Sequence, residues 1–234
     1  MQQVEFCDTV TLSCCQGPSQ LHMNPPCPQI PQTQNMAWLA LEQLNRLCPL
    51  PTGIIIEIQK SLPMAAGLAG GSADAAAVLQ GVVQLLRLPY SLEQLEQTGL
   101  TLGADVPYCL AGGTMLAEGV GERLTPLPPA PLLWAVLANP GIAVDTAEIF
   151  RHFRLEQKGE APDIDGMIAA LRQQNIPQLL ACQGNVLESV TLKRYPQVAK
   201  LKRDLNSCGI PALMSGSGGT VFGLTSQRLS LIHI

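Results

Sequence analysis

The run Leu62-Pro-Met-Ala-Ala-Gly-Leu-Ala-Gly-Gly-Ser-Ala-Asp-Ala-Ala76 constrains the fold more than any other stretch of this chain. Before it, Ile54, Ile56 and Ile58 alternate with Ile55, Glu57 and Gln59, the period of a strand with a buried face. After it, Ser72 to Leu86 is Ala-rich, with Leu79, Val82, Val83 and Leu86 on one side, the period of a helix. Pro63 ends the strand, and a loop without bulky side chains joins the two elements. Such a loop lets backbone N–H groups approach an anion, and the helix N-terminus adds partial positive charge. Ser72, read as the helix N-cap, adds a hydroxyl for a phosphate or a phosphate-bound magnesium. No G-K-[ST] follows the glycines, so this is not a Walker A loop. G-L-A-G-G also lacks the G-x-G-x-x-G spacing of a dinucleotide fingerprint. On residues alone, the segment reads equally as an ordinary tight strand-to-helix turn.

Composition removes several classes. A length of 234 residues suits one large domain or two modest ones, with enough buried surface for a core without staples. At 47% hydrophobic and 14% charged, the chain is not an intrinsically disordered one. Net charge is −4 and the Lys and Arg residues are scattered, which speaks against electrostatically driven nucleic-acid binding. The eight cysteines contain no C-x-x-C pair, and His22, His152 and His233 stand apart from them. No metal cluster is therefore expected, and the thiols read as reduced and mostly buried. Met1 to Phe6 has neither the basic start nor the apolar run of a signal peptide, and no run of about 18 apolar residues exists to span a membrane. The expectation is a soluble cytoplasmic protein of enzyme size.

Along the chain, Phe6 to Leu12 reads as a strand, followed by an irregular loop through the proline-rich Asn24 to Pro31. Met36, Leu39, Ala40, Leu44 and Leu47 recur at helical spacing, and Ser91 to Gln94 has the form of a capping box. The proline-rich Thr125 to Pro131 marks the best domain boundary, before a strand-like run from Leu132 to Leu137. Helices are expected at Asp163 to Leu171, around Gln178 to Val190, and at Pro196 to Asn206. A strand, a Gly/Ser turn and a second strand are expected over Ala212 to Leu224. No internal repeat is visible.

P-x-x-x-G-L-x-G-G-S-x-D-A-A resembles the second motif of the GHMP kinases, a family of small-molecule kinases. Met214-Ser-Gly-Ser-Gly-Gly-Thr-Val-Phe-Gly223 resembles the family's third motif. Leu102-Gly-Ala-Asp-Val-Pro-Tyr108, followed by Gly113 to Gly121, narrows the resemblance to the branch acting on cytidyl-diphosphate methylerythritol. The matches run in the family's order from about Cys7 to Leu224. The resemblance implies an α+β, two-domain GHMP kinase fold. Residues 1–128 would form a ribosomal-S5-like, ATP-binding N-terminal domain with a left-handed βαβ unit, and 129–234 a ferredoxin-like C-terminal domain, with substrate in the cleft between them. It implies ATP-dependent phosphorylation of the acceptor's 2-hydroxyl, with Mg2+, a step of non-mevalonate isoprenoid precursor synthesis.

By the same resemblance Asp105 is the catalytic carboxylate, accepting the hydroxyl proton during attack on the γ-phosphorus. Pro63, Met64, Ala65, Ala66, Gly67, Leu68, Ala69, Gly70, Gly71, Ser72 and Ala73 would wrap the ATP phosphates. Lys60 and Asn35 match positions near the adenosine, and Thr146 and Phe150 match positions that hold the cytidyl substrate, with Phe150 stacking on the cytosine. Judged by residue type alone, Asp105 is a turn or helix-cap residue, Lys60 and Asn35 are surface, and Phe150 is core. Partners are then one small-molecule substrate and no nucleic acid or membrane, with the oligomeric state left open.

The sequence departs from the family pattern in ways that bear on activity. The family's P-A-K-I-N-L strand and D-G-Y-H turn have no counterpart, since Gln2 to Leu12 already matches the strand that follows them. The tail Ser230-Leu-Ile-His-Ile234 also has none. The expectation is a chain truncated at both ends with greatly reduced turnover, because the missing lysine sits beside the catalytic aspartate. Loss of a first strand would also expose a sheet edge. Ala65 and Ala69 stand where the family usually has glycine, and Gly219 where it often has proline. The alanines are costly if φ is positive. Alternatives are a non-catalytic nucleotide-binding relative, an inactive fragment, or a GHMP kinase for another small alcohol.

Overall fold

The structure, a computed structural model, describes residues 1–157 and 161–227. The chain forms two compact units, one of residues 1–62 and 69–126, the other of residues 63–68 and 127–234. The tail at 230–234 lies outside the described residues.

In the first unit, β1 (Thr9–Cys15), β2 (Gln20–Asn24) and β3 (Gly53–Gln59) make a sheet in the order β1-β3-β2. β3 is antiparallel to β1 and parallel to β2, and the parallel pair is joined through α1 (Met36–Leu47). Ile54, Ile56 and Ile58 bury their side chains completely or nearly so, as their alternation requires. They pack with Ala37, Ala40 and Leu44 of α1 and Ala75, Val78, Leu79 and Val82 of α2 (Gly70–Leu86). The alanines on α1 and α2 let the two helices approach closely over the sheet. Ser91 caps α3 (Leu92–Leu100) through the expected reciprocal box with Gln94. The short α4 (Val106–Ala111) follows, with Pro107 in its first turn, and β4 (Met115–Glu118) pairs with β5 (Arg123–Pro126).

The second unit holds a three-stranded antiparallel sheet, β6 (Trp134–Ala138), β8 (Val221–Thr225) and β7 (Ala212–Met214), in that order. Its helices are α5 (Thr146–His152), α6 (Ile164–Gln173), α7 (Ile176–Ala181), α8 (Glu188–Arg194) and α9 (Pro196–Ser207). Val198, Leu205, Ile210, Met214 and Val221 form the core beneath the sheet.

Four sequence expectations are corrected. The first strand runs from Thr9, not Phe6, because Asp8 turns its carboxylate to the N–H groups of Ser61 and Leu62, outside the ladder. Gln20–Asn24 is a strand inside the segment read as loop, with Leu21 and Met23 on its inner face between prolines at 18 and 25. Helix α2 begins at Gly70 with Ala69 at the N-cap, so Ser72 is its third residue and not its cap. The helix expected around Gln178 to Val190 is two helices. Between them Asn185 donates its side-chain amide to the backbone oxygens of Met214 and Gly216.

Candidate active site

The small-residue loop leaves β3 and enters α2, a helix of 17 residues with no acidic side chain in its first turn. Its positive end is therefore not quenched by a neighbouring carboxylate of that turn. Within the second unit the loop is fixed by its carbonyls. Ala66 O accepts from Thr220 N at 3.1 Å, and Gly67 O accepts from Ser215 Oγ at 2.8 Å. Gly67 has φ +72°, and a Cβ there would lie 2.4 Å from Ser215 O and 2.6 Å from Gly218 O. Only glycine fits this contact. These two carbonyls are thus taken up by protein donors and turned away from any anion the loop would hold.

The Gly/Ser turn at 215–220 is itself braced. Ser215 N donates to Thr220 O, Thr191 Oγ1 donates to Ser217 O at 3.0 Å, and Asn139 Nδ2 donates to Thr220 Oγ1 at 2.9 Å. Glu188 accepts from Met214 N and pairs with Lys202. Asn139, Asn185, Glu188 and Thr191 carry no motif, and their role was missed in the sequence. The one signal was that polar residues recur among apolar ones in N-V-L-E-S-V-T.

In the first unit, Asp105 sits at the N-cap of α4 but makes no capping hydrogen bond. Two residues earlier, a Cβ on Gly103 would lie 3.9 Å from Ser72 Oγ and 3.4 Å from Met36 Cε. The G-A-D-V-P turn is thus packed against the first turn of α2. Asp105 presents an open face to solvent, while protein atoms on its other side partly desolvate the carboxyl and raise its pKa. Burial likewise pushes the Cys109 thiol up to about 12, helped by the negative charges of Asp105 and Asp74 that flank it.

Asn35 is buried, and its Oδ1 accepts from Ala37 N and Trp38 N, so it is the N-cap of α1. Lys60 is not plain surface. Its ammonium lies between Asp8 and Asp74, 2.9 Å from the latter, with 11% of the side chain exposed. In the second unit, Thr146 Oγ1 lies 2.7 Å from Ser217 Oγ, which ties the start of α5 to the Gly/Ser turn. Phe150, one turn on, is 59% exposed, against the core position its residue type suggests. Among the described residues no group of acidic, Cys or His side chains is arranged to hold a metal ion. No described helix is long and apolar enough to cross a membrane.

A two-unit α+β chain with a phosphate-type loop, a Gly/Ser turn under it and a carboxylate beside the helix start defines a class of small-molecule kinase. The chain belongs to the GHMP kinases: residues 34–113 match the GHMP kinases N terminal domain and residues 167–231 the GHMP kinases C terminal domain. It is 41% identical over 234 aligned residues to the 4-diphosphocytidyl-2-C-methyl-D-erythritol kinase of Lachnoclostridium phytofermentans, covering 97% of this chain and 79% of that one. It is 46% identical over 202 residues to the enzyme of that name from Geobacillus sp. WCH70, covering 86% and 70%. Among solved structures, a 4-(cytidine 5'-diphospho)-2C-methyl-D-erythritol kinase superposes with TM-score 0.76 at 33% identity, covering 94% of this chain and 77% of that one. A homoserine kinase from Cytophaga hutchinsonii superposes at 0.72 with 21% identity, which speaks for the fold alone.

Proposed function

We propose that this protein transfers the γ-phosphoryl group of ATP to the 2-hydroxyl of 4-diphosphocytidyl-2-C-methyl-D-erythritol, in the methylerythritol phosphate route to isoprenoid precursors. The observation that carries the reading is the packing of the Asp105 turn against the first turn of α2. It puts a partly desolvated, uncapped carboxylate next to the helix end that would hold phosphate. The relatives at 41% and 46% identity support the choice of acceptor.

In this reading Asp105 takes the proton of the attacking hydroxyl, and its raised pKa makes it a stronger base than an ordinary aspartate. Residues 63–73 would wrap the phosphates, with backbone N–H groups of the loop and the end of α2 facing the charge that builds during transfer. Mg2+, when bound, neutralises phosphate charge. Ser72 Oγ, half-buried on the first turn of α2, is the hydroxyl that would meet it. Asn35 and Lys60 support the nucleotide region from beneath. Thr146 and the exposed Phe150 would hold the cytidyl end of the acceptor, with a stacked base worth about 1–3 kcal/mol. The chain would divide near residue 128 into the ATP-binding and the acceptor domain.

The test is ADP release in the presence of ATP, Mg2+ and the cytidylated acceptor, with homoserine and mevalonate as controls. Release that requires the cytidylated acceptor and falls about a hundredfold or more in Asp105→Asn is the expected result. Equal turnover of wild type and Asp105→Asn would refute the role of the carboxylate. Turnover of a plain alcohol in preference would overturn the acceptor.

A further inference from the structure

The three residues Asp8, Lys60 and Asp74 come from the entry to β1, the exit of β3 and the second turn of α2, and their side chains are 3%, 11% and 7% exposed. Such a buried cluster is an expensive structure, since two carboxylates and one ammonium must leave water together. Its geometry indicates what it holds. Asp8 Oδ1 accepts from Ser61 N at 2.6 Å and Leu62 N at 2.8 Å, the last two residues before Pro63. Asp8 Oδ2 pairs with Lys60, and Lys60 donates to Asp74 Oδ2 at 2.9 Å, on the helix that receives the chain after the loop. Between these anchors lie Pro63 to Ala69. The two ends of that segment touch, since a Cβ on Gly70 would lie 3.4 Å from Leu62 Cδ1 and 3.6 Å from Asp8 Oδ2. The backbone of Lys60 is pinned as well, with its N–H donating to Asn24 O at 2.7 Å.

We propose that Asp8, Lys60 and Asp74 are positioning residues that clamp the neck of the small-residue loop and hold its N–H groups in the arrangement that binds the triphosphate. The inference rests on the reading of that loop as the ATP phosphate site. It assigns Lys60 to the loop's neck and not to the adenosine. Lys60 also offsets Asp74, which stands one turn behind the phosphate-binding end of α2. Without the ammonium, two carboxylates would face incoming phosphate charge. The clamp acts through the loop and touches neither substrate.

The test compares wild type, Lys60→Met and the gentler Asp8→Asn by calorimetric binding of a non-hydrolysable ATP analogue and of adenosine, and by hydrogen exchange at 60–69 against 53–59. The expected result is a loss of about tenfold or more in affinity for the analogue, while adenosine affinity stays within about twofold. Exchange at Ser61 and Leu62 accelerates while the amides of β3 keep their protection. Equal losses for analogue and adenosine would overturn the clamp in favour of a base or ribose contact. Unchanged exchange at Ser61 and Leu62 in a folded variant would overturn it regardless of nucleotide. A wild type that binds no analogue defeats the kinase reading instead, and the exchange comparison still decides the clamp. Where Lys60→Met fails to fold, Asp8→Asn carries both arms.

Discussion

Two alanines in the loop hold backbone that alanine dislikes, and this yields a signed prediction at three positions. Ala65 has φ +49°, and Ala69 has φ +53° at the N-cap of α2. An L-residue in this region costs about 1–2 kcal/mol. Replacement by glycine removes that cost but returns about 0.4–1 kcal/mol of unfolded-state entropy. Ala65→Gly and Ala69→Gly should therefore each stabilise the protein by about 0.5–1 kcal/mol, a rise in Tm of about 1–4 °C for a chain of this size. Gly67→Ala runs the other way. Its φ is +72°, and the new Cβ would meet two backbone oxygens at 2.4 and 2.6 Å, neither of which can rotate aside. Strain and overpacking together should cost about 2–4 kcal/mol, and relief would require Gly67 O to leave Ser215 Oγ. The assay is differential scanning fluorimetry of the three variants, followed by titration with a non-hydrolysable ATP analogue. Ala65→Gly and Ala69→Gly should melt higher, and Gly67→Ala lower with weakened binding. A fall in Tm for either glycine variant, or a neutral Gly67→Ala, would refute the argument from backbone conformation.

Two further outcomes follow from the titrating groups. With its pKa pushed from 9.0 to about 12, Cys109 carries about a thousandfold less thiolate than an ordinary cysteine near neutral pH. In alkylation at pH 8 followed by peptide mapping, it should react long after the exposed Cys7, Cys14 and Cys208, and labelling at a similar rate would contradict its burial between two carboxylates. The ion cluster sets a pH window. Burial pushes Asp8 up, but Lys60 and the N–H groups of Leu62 and Ser61 outweigh it and hold the pKa below 3.8. Burial pushes Lys60 down, but Asp8 and Asp74 outweigh it and hold the pKa above 10.5. The stability that Asp8 contributes is present above 3.8 and lost as pH falls through its lower folded pKa. That from Lys60 is complete below 10.5 and lost as pH rises through its higher folded pKa. Urea titrations should therefore show the gap between wild type and Lys60→Met shrinking above pH 10.5. Tyr108 and Cys109, both pushed up to about 12, titrate alike in the two proteins and leave that gap untouched.

What the sequence disclosed was local in origin. Ile54, Ile56 and Ile58 declare their strand by period alone, and Ser91 and Gln94 declare their helix start by two hydrogen bonds that lie within four residues. Residues that act over distance gave no such sign. Asp8 lies 52 positions from Lys60, and Lys60 14 from Asp74, so no window of sequence holds the cluster. The same holds for Asn185, Glu188 and Thr191, which brace a turn 26 to 31 positions downstream. Strand β2 was hidden because five residues between prolines give too short an alternation to separate from loop. Ser72 drew the helix start two residues late, since serine is a strong N-cap by propensity. Here Ala69, in a left-handed conformation, holds that position instead. Asp105 was legible only through its motif, because one aspartate in a turn has no periodicity to betray it.

The charges of the first unit then have a common logic. Three carboxylates, Asp8, Asp74 and Asp105, stand around the start of α2, and one ammonium, Lys60, is shared by the first two. Burial, joined by the neighbouring Asp8, raises the Asp74 pKa against the pull of Lys60, so its charge is held at a cost that the rest of the fold must cover. Two of the three carboxylates are thus committed to structure. The third is neither capping a helix nor paired, and its pKa is raised by burial without an opposing cation. A protein gains no stability from such a group, because a desolvated carboxylate without a partner disfavours folding at neutral pH. Its placement against the first turn of α2 makes sense as a functional cost. A phosphoryl-transfer site needs one base that is not already spent, close to the helix end that holds the phosphates. On the proposed reading the clamp and the unpaired carboxylate are complementary for that reason: Lys60 would quiet the two charges that hold the loop's neck, and Asp105 would remain, of these three carboxylates, the one to accept a proton.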